Sequence, residues 1–177
     1  MMITIQSLAN DLRLYFPADP VPPYPSMMGM NPVGIDEYSL FANRRWTEVP
    51  PARYFQDYDI SPANGFSSIE SPHLWNYHLP GFLLASLLHE NACEKLDSFM
   101  YFFNRAEPKL SQSSTYKVAW WESETFSGGF NLKQCETIVS FLQFLRHSGG
   151  GPPLYYDWDE LDCATLENWH HRMASLT

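Results

Sequence analysis

The chain has 177 residues, of which 45% are hydrophobic, and its 20 acidic residues outnumber its 11 Lys and Arg, which makes the formal net charge −9. This length suits one domain, 1–177, that builds its core without disulfides or metal. The charge opposes general nucleic-acid binding, because phosphates need clustered Lys and Arg. The longest apolar run, from Leu79 to Leu88, has about half of the ~20 residues that a bilayer span requires, so no membrane segment is predicted.

Cysteine usage and the first residues predict the compartment. Cys93, Cys135 and Cys163 form no paired motif, and an odd, widely spaced set of thiols is typical of a reducing environment. The opening stretch MMITIQSLANDL has neither a basic n-region nor a long apolar segment, so no secretory signal is predicted. We therefore expect a cytoplasmic protein.

The first predicted helix covers residues 4–16, and Pro17 ends it, because proline cannot donate the next backbone hydrogen bond. Prolines then recur through residues 17–33, which predicts an extended strap with polyproline II character. This strap either wraps its own domain or docks onto a partner, and wrapping is the commoner role. The helix has one apolar side at the i, i+3, i+4, i+7 spacing, made by Ile5, Leu8, Ala9, Leu12, Tyr15 and Phe16.

The region after the strap is predicted to be mostly irregular. Residues 35–45 indicate a short helix, and Trp46 follows it. Prolines, aspartates and a turn signal punctuate residues 47–70. The turn signal, residues 64–65, allows at most a short hairpin.

The most apolar segment, residues 72–90, predicts a kinked helix at the centre of a helical bundle. Pro72 follows Ser71, which is a favourable start for a helix. Pro80 removes one backbone hydrogen bond and clashes with the preceding turn. The expected solution is a break, with a short helical piece ending at His78 and a second helix starting at Pro80.

Three further helices are predicted downstream, and residues 116–122 are a candidate for a short strand. The fold class is therefore predicted to be all-α, a compact bundle of about six helices around the kinked helix 72–90. The strap and at most a short strand or hairpin complete it. Each downstream helix begins with a capping pair three residues apart: Asn91 with Glu94, Asn131 with Gln134, and Asp157 with Glu160.

The last two predicted helices each carry an apolar stripe. Phe130 lies in the staple position before the first of them. Buried thiols in such stripes are expected to be inert. The stripe positions are Cys135, Ile138, Val139, Leu142 and Leu145 in the first helix, and Cys163, Leu166, Trp169, Met173 and Leu176 in the second.

The spacing of the histidines does not indicate a metal site. His73 and His78 point to different faces of a helix, and His78 and His89 lie roughly 16 Å apart along its axis. Two ligands of one zinc ion must both come within about 2 Å of it. His170 and His171 are adjacent and diverge. Since zinc-binding and phosphate-binding motifs are also missing from the sequence, we predict no metal and no cofactor.

The acidic run DWDELD, residues 157–162, invites comparison with a calcium-binding loop. That loop needs glycine at its sixth position and glutamate at its twelfth, where this chain has Asp162 and Asn168. A helix cap with a solvated acidic face explains the run better. If the protein binds a basic partner, we expect the contact on this face, through Asp157, Asp159, Glu160 and Asp162.

Two other functions stay open at this point. The first is a small hydrolase or transferase with a site assembled in space from Cys, His and Glu. One of His73, His78 and His89 would then meet Cys93 or Glu122. The second is an adaptor domain that docks through the proline-rich strap.

Two segments and one upstream tryptophan carry a resemblance to a known family. The first segment, YHLPGFLLA, has the pattern Tyr77, Leu79, Pro80, Phe82, Leu83 and Ala85, and the second has Leu132, Gln134, Phe141 and Leu142. Trp46 before a proline turn at Pro50 also fits. Over residues 36–147 the chain resembles an uncharacterised, domain-of-unknown-function family of small bacterial cytosolic proteins. The resemblance implies a helical domain, transfers no catalytic residue, and favours an accessory role such as toxin immunity.

These observations together predict a non-enzymatic protein-binding protein. Most concretely, we expect a cytosolic immunity protein that occludes the active cleft of a cognate antibacterial toxin or effector domain. The acidic surplus and the aromatic content of 16% suit such a role, because aromatic side chains populate interfaces and opposite charges speed association.

Overall fold

The computed structural model describes residues 3–22, 41, 43–50, 72–88, 129–148 and 158–177. Within these residues the chain forms four α-helices and no strand, which agrees with the predicted all-α class; the prediction of six helices is not confirmed. The helices are α1 (Ile5–Tyr15), α2 (Pro72–Leu88), α3 (Leu132–Ser148) and α4 (Glu160–Ala174), with a short 3₁₀ turn at Trp46–Glu48.

Helix α1 begins and ends where the sequence predicts. The Thr4 hydroxyl accepts a hydrogen bond from the backbone N–H of Ser7, and the Ser7 hydroxyl accepts one from the backbone N–H of Thr4. These two bonds use donors that the first helical turn leaves without partners. Phe16 adopts an extended conformation ahead of Pro17, so the helix stops there. The predicted apolar side is buried, with Leu8, Ala9, Leu12 and Phe16 in the core.

Helix α2 corrects the predicted break at Pro80, because it runs from Pro72 to Leu88 without interruption. Every residue from 78 to 87 is buried, so this part of the helix is enclosed on all sides, as its composition predicts. A proline inside a helix costs one backbone hydrogen bond and introduces a clash. Burial of the surrounding apolar side chains offsets that cost, since most helix stability in proteins comes from packing.

Helix α3 confirms its predicted cap. Asn131 Oδ1 accepts from the backbone N–H of Gln134 at 3.0 Å, and Gln134 Oε1 accepts from the backbone N–H of Asn131 at 2.9 Å. The whole predicted stripe from Cys135 to Leu145 is buried. Arg146 and His147 lie in the last turn, where positive charge is favourable.

Helix α4 starts two residues later than predicted. The N-cap is Asp159 rather than Asp157, and its box partner is Asp162 rather than Glu160. A capping box needs its second side chain three residues after the cap, and a carboxylate at residue 162 meets that requirement. Two of the predicted stripe residues, Leu166 and Trp169, are fully in the core.

Three of the four helices, α1, α3 and α4, meet through large aromatic side chains. Helix α3 packs against α1 and α4, α1 also packs against α2, and the 3₁₀ turn packs against α2. The Phe130 ring lies 6.1 Å from the Phe16 ring and 5.7 Å from the Trp169 ring, measured between centroids. Phe130 thereby joins the end of α1, the start of α3 and the middle of α4 in one cluster.

Several predicted elements lie outside the described residues: the helix starting at Asn91, the strand at 116–122 and the hairpin at residues 64–65. Of the short helix predicted over 35–45, only Phe41 is described as helical, and its side chain is buried.

Candidate interaction site

The predicted acidic face divides at the start of α4 into an exposed and a buried part. Asp159 and Glu160 expose their side chains, whereas Asp162 is 0% exposed. The Asp162 carboxylate accepts from the backbone N–H of Asp159 at 3.1 Å, and Asp159 returns the bond at 2.9 Å. Asp162 therefore shapes the helix start and cannot reach a partner surface. Asp157 lies outside the described residues.

The exposed carboxylates stand on a helix that is anchored in the core. Trp169 is 0% exposed, and its ring contacts Phe130. The next residue, His170, contacts Gln143 of α3 at 3.4 Å. Phe130 lies just before the N-cap of α3, and Gln143 lies in the second half of that helix. Neighbouring side chains of α4 therefore brace α3 at two separate levels, which holds Asp159 and Glu160 in a defined position. We call these two residues the acidic start of α4.

A second group of polar side chains meets at the foot of the proline-rich strap. The Tyr77 hydroxyl donates to the Ala18 carbonyl at 2.6 Å, across 59 positions of sequence. A backbone hydrogen bond links the same hydroxyl to Trp46 of the 3₁₀ turn. Burial raises the pKa of Tyr77, and the Trp46 bond opposes that rise. The phenol is thus a neutral link between α2, the turn and the strap.

Arg45 forms the charged half of this group. Its Nε donates to Asp19 Oδ1 at 2.8 Å, and its Nη1 donates to Glu48 Oε1 at 3.2 Å. The hydrogen bond and charge of Asp19 are the main reasons that the pKa of Arg45 is raised. All three side chains are largely exposed, so solvent screens their attraction. We call residues 17–22 the strap root; this part of the predicted strap contacts its own domain.

His78 is fully buried next to this group. Its ring makes edge contacts with Tyr77 at 4.8 Å and with Phe41 at 5.4 Å, between centroids. Burial lowers its pKa from the ordinary 6.5 to about 3, because the charged imidazolium loses its hydration. The imidazole is therefore neutral at physiological pH and packs as a core side chain. The side chains of His73, His89, Cys93 and Glu122 lie outside the described residues, so the predicted Cys, His and Glu site stays a prediction.

The two described thiols occupy different environments. Cys135 is completely buried, and this burial raises its pKa, while the charge of Arg172 acts in the opposite direction. A thiol with a raised pKa is a poor nucleophile. Cys163 is only partly buried, and its sulfur accepts a hydrogen bond from Trp158 Nε1 at 3.1 Å. The inert behaviour predicted for buried stripe thiols therefore suits Cys135 best.

Among the described residues, no three His, Cys, Asp or Glu side chains are placed to hold a metal ion. His170 and His171 diverge as predicted, since the first contacts α3 and the second is exposed. In the described part of the chain, every helix is too short or too polar to traverse a bilayer.

Sequence reasoning missed the group around Tyr77, Arg45 and Asp19. These residues come from three segments, and their partners are 26 and 59 positions apart. No periodicity or short motif reports a contact of that range. In the sequence, Tyr77 is an aromatic residue of an apolar segment and part of the family-like pattern, and neither feature indicates a partner for its hydroxyl.

Comparison of the chain with protein-family models, with curated proteins and with solved structures finds no match. The resemblance drawn from residues 77–85 and 132–142 therefore stays a prediction.

Proposed function

We propose that this chain is a non-enzymatic protein-binding protein that uses the acidic start of α4 to contact a basic surface of its partner. The observation that carries this proposal is the placement of Asp159 and Glu160. Both carboxylates are exposed at the start of α4, and the buried side chains of Asp162 and Trp169 hold that helix in place. A charged group in a defined position loses little conformational freedom when it binds.

The net negative charge of the chain also favours a basic partner. The chain carries a net charge of −9, and most of the excess lies in sequence outside the described residues. A field of one sign raises the rate at which an oppositely charged protein arrives. We therefore propose a partner with a basic cleft.

The most concrete form of the proposal is an immunity protein that covers the active cleft of an antibacterial toxin in the cytoplasm. This step depends on the family resemblance of residues 36–147 and not on the geometry. It predicts that the partner is encoded beside this chain, because a toxin and its immunity protein must be made together.

The experiment is to purify the chain together with the product of the neighbouring gene and to measure association by stopped flow. The double variant Asp159→Asn with Glu160→Gln removes both exposed charges, and Asn keeps the helix cap. We expect association to slow about 10-fold at low salt and to approach the wild-type rate at high salt. Glu167→Gln is the matched control, because it removes one exposed charge from the middle of the same helix.

Two results would contradict the proposal at different levels. If no complex forms and cells that express the neighbouring product are not protected, the immunity role is wrong. If a complex forms but the double variant associates as fast as Glu167→Gln, the partner binds elsewhere and the acidic start of α4 is not the contact surface.

A further inference from the structure

The strap root packs on the core through Ala18 and is fastened to the described structure by two polar contacts of different strength. One is the hydrogen bond from the Tyr77 hydroxyl to the Ala18 carbonyl. The other is the ion pair between Arg45 and Asp19. Before the strap root, Phe16 is buried against Phe130, so the chain is held firmly up to that residue. Any release of the strap root would therefore begin after Phe16.

The Tyr77 contact is the stronger one. Its donor and acceptor are 2.6 Å apart, the side chain is half-buried, and the hydroxyl is also bonded to the backbone of Trp46. A neutral hydrogen bond in such surroundings is little affected by salt. Losing it would leave the Ala18 carbonyl to find a partner in water.

The Arg45 contact is weak and exchangeable. The exposed fractions of the two side chains are 47% for Arg45 and 66% for Asp19. Arg45 also pairs with Glu48, and its backbone N–H donates to the same carboxylate at 3.1 Å. Arg45 thus keeps an anionic partner when Asp19 leaves, which lowers the cost of opening this contact.

We propose that Tyr77 and Arg45 form a clasp that holds the strap root reversibly, and that ionic strength sets the fraction of molecules in which it is released. The ionic half opens first, and the Tyr77 half limits complete release. Release uncovers the Tyr77 edge of α2 and frees the start of the proline-rich strap. This device is independent of the acidic start of α4.

The test is NMR spectroscopy of the ¹⁵N-labelled chain, with the backbone amides of Asp19 and Val21 as reporters. Peak position in fast exchange, or peak intensity in slow exchange, gives the ratio of released to clasped molecules. The double variant Asp19→Asn with Tyr77→Phe supplies the released reference. Glu136→Gln is the matched control, because it breaks another exposed ion pair, the one between Lys133 and Glu136 at 2.7 Å.

We expect Asp19→Asn to raise the released ratio about 2- to 5-fold, as for other exposed pairs. Tyr77→Phe should raise it about 10-fold, since it removes a hydrogen bond and leaves its acceptor. At about 1 M salt, where the screening length is about 3 Å, the wild-type chain should match Asp19→Asn, and Asp19→Asn itself should not change. Glu136→Gln should leave both reporters unmoved.

Three results would overturn the clasp. The first is a salt-induced shift in the Asp19→Asn variant as large as in the wild type, which would show that the ion pair is not the salt-sensitive half. Tyr77→Phe could leave the Asp19 and Val21 resonances in place. Alternatively, Tyr77→Phe could shift resonances throughout α3, which would show that the strap root does not open separately from the fold.

Discussion

Two sides of the molecule differ in how they are built. On the α3–α4 side, α1, α3 and α4 meet around Phe130 and Trp169. On the α2 side, α2, the 3₁₀ turn and the strap root meet around Tyr77 and His78. On the α3–α4 side, all three helices start with reciprocal side-chain caps, and apolar stripes face a common aromatic cluster. On the α2 side, a proline lies inside the helix, a histidine is buried, and polar contacts link distant segments. The α3–α4 side follows the usual preferences for helix caps and apolar spacing. The α2 side contains residues that are unfavourable in a helix or in a core, and tertiary contacts offset them.

The largest effect should come from removing the aromatic centre of the α3–α4 side. Trp169→Ala deletes a side chain that is 0% exposed and should lower the free energy of unfolding by about 3–5 kcal/mol. Leu14→Ala is the control, since Leu14 is 70% exposed and its truncation should cost less than about 0.5 kcal/mol. Urea denaturation measures both. Equal losses would mean that the aromatic cluster is not the centre of this side.

Acid should weaken the α2 side through His78. The pKa of His78 is about 3 in the folded chain and 6.5 ordinarily, so the unfolded chain takes up a proton that the folded chain rejects. The contribution of His78 is therefore fully present above pH 6.5 and is lost as the pH falls below it, by about 2 kcal/mol between pH 7 and pH 5.

Urea denaturation at the two pH values measures this contribution. His78→Gln should flatten the pH dependence by that amount. Identical pH dependence in His78→Gln and the wild type would show that the buried imidazole is not the group that responds.

Replacing Pro80 tests the α2 side, because alanine, unlike proline, suits the interior of a helix. In Pro80→Ala the higher helix propensity of alanine should add about 3 kcal/mol to the free energy of unfolding. The loss of two buried ring carbons should subtract about 1.6 kcal/mol from it. We expect the melting temperature to rise, with a net gain of about 1.5 kcal/mol. A fall would mean that the packing of α2 needs the backbone shape that proline imposes.

The smallest effect should come from a cap on the α3–α4 side. Asn131→Ala removes the acceptor of the Gln134 N–H and should cost about 1 kcal/mol in chemical denaturation. Asn131→Asp retains a capping oxygen and should be close to wild type. If both substitutions have the same effect, the cap does not stabilise α3 and its start depends on the packing of Phe130.

Local signals in the sequence predicted the α3–α4 side well. The Asn131 cap, the stripe from Cys135 to Leu145 and the burial of Trp169 all follow from spacing, because helix geometry places residues three and four apart on one face. The sequence predicts Asp157 as the N-cap of α4, whereas the structure has Asp159 there, because several carboxylates close together are chemically equivalent as caps. Only the folded chain selects the one whose box partner is buried.

The partner contact on the acidic face stays a prediction. Asp159 and Glu160 are exposed as the acidic-face prediction requires, but Asp162 has the same chemistry and is buried. A carboxylate at a helix start either caps the helix or faces solvent, and the sequence does not distinguish these roles. The clasp of Tyr77 and Arg45 was not predictable at all, because its contacts join residues far apart in the chain.

In the described residues, the helical class and the starts of α1 and α3 follow from residue type and from spacing within one or two helical turns, and the acidic surplus follows from composition. Tertiary structure decided that α2 continues through Pro80, that His78 is neutral and that the strap root is fastened to Tyr77 and Arg45. The physical reason is that burial and long-range contacts set these outcomes. The sequence indicates that a proline in a helix, a buried ionisable group or an extended segment is unfavourable. Only the surrounding fold decides whether packing and long-range contacts offset that unfavourable free energy.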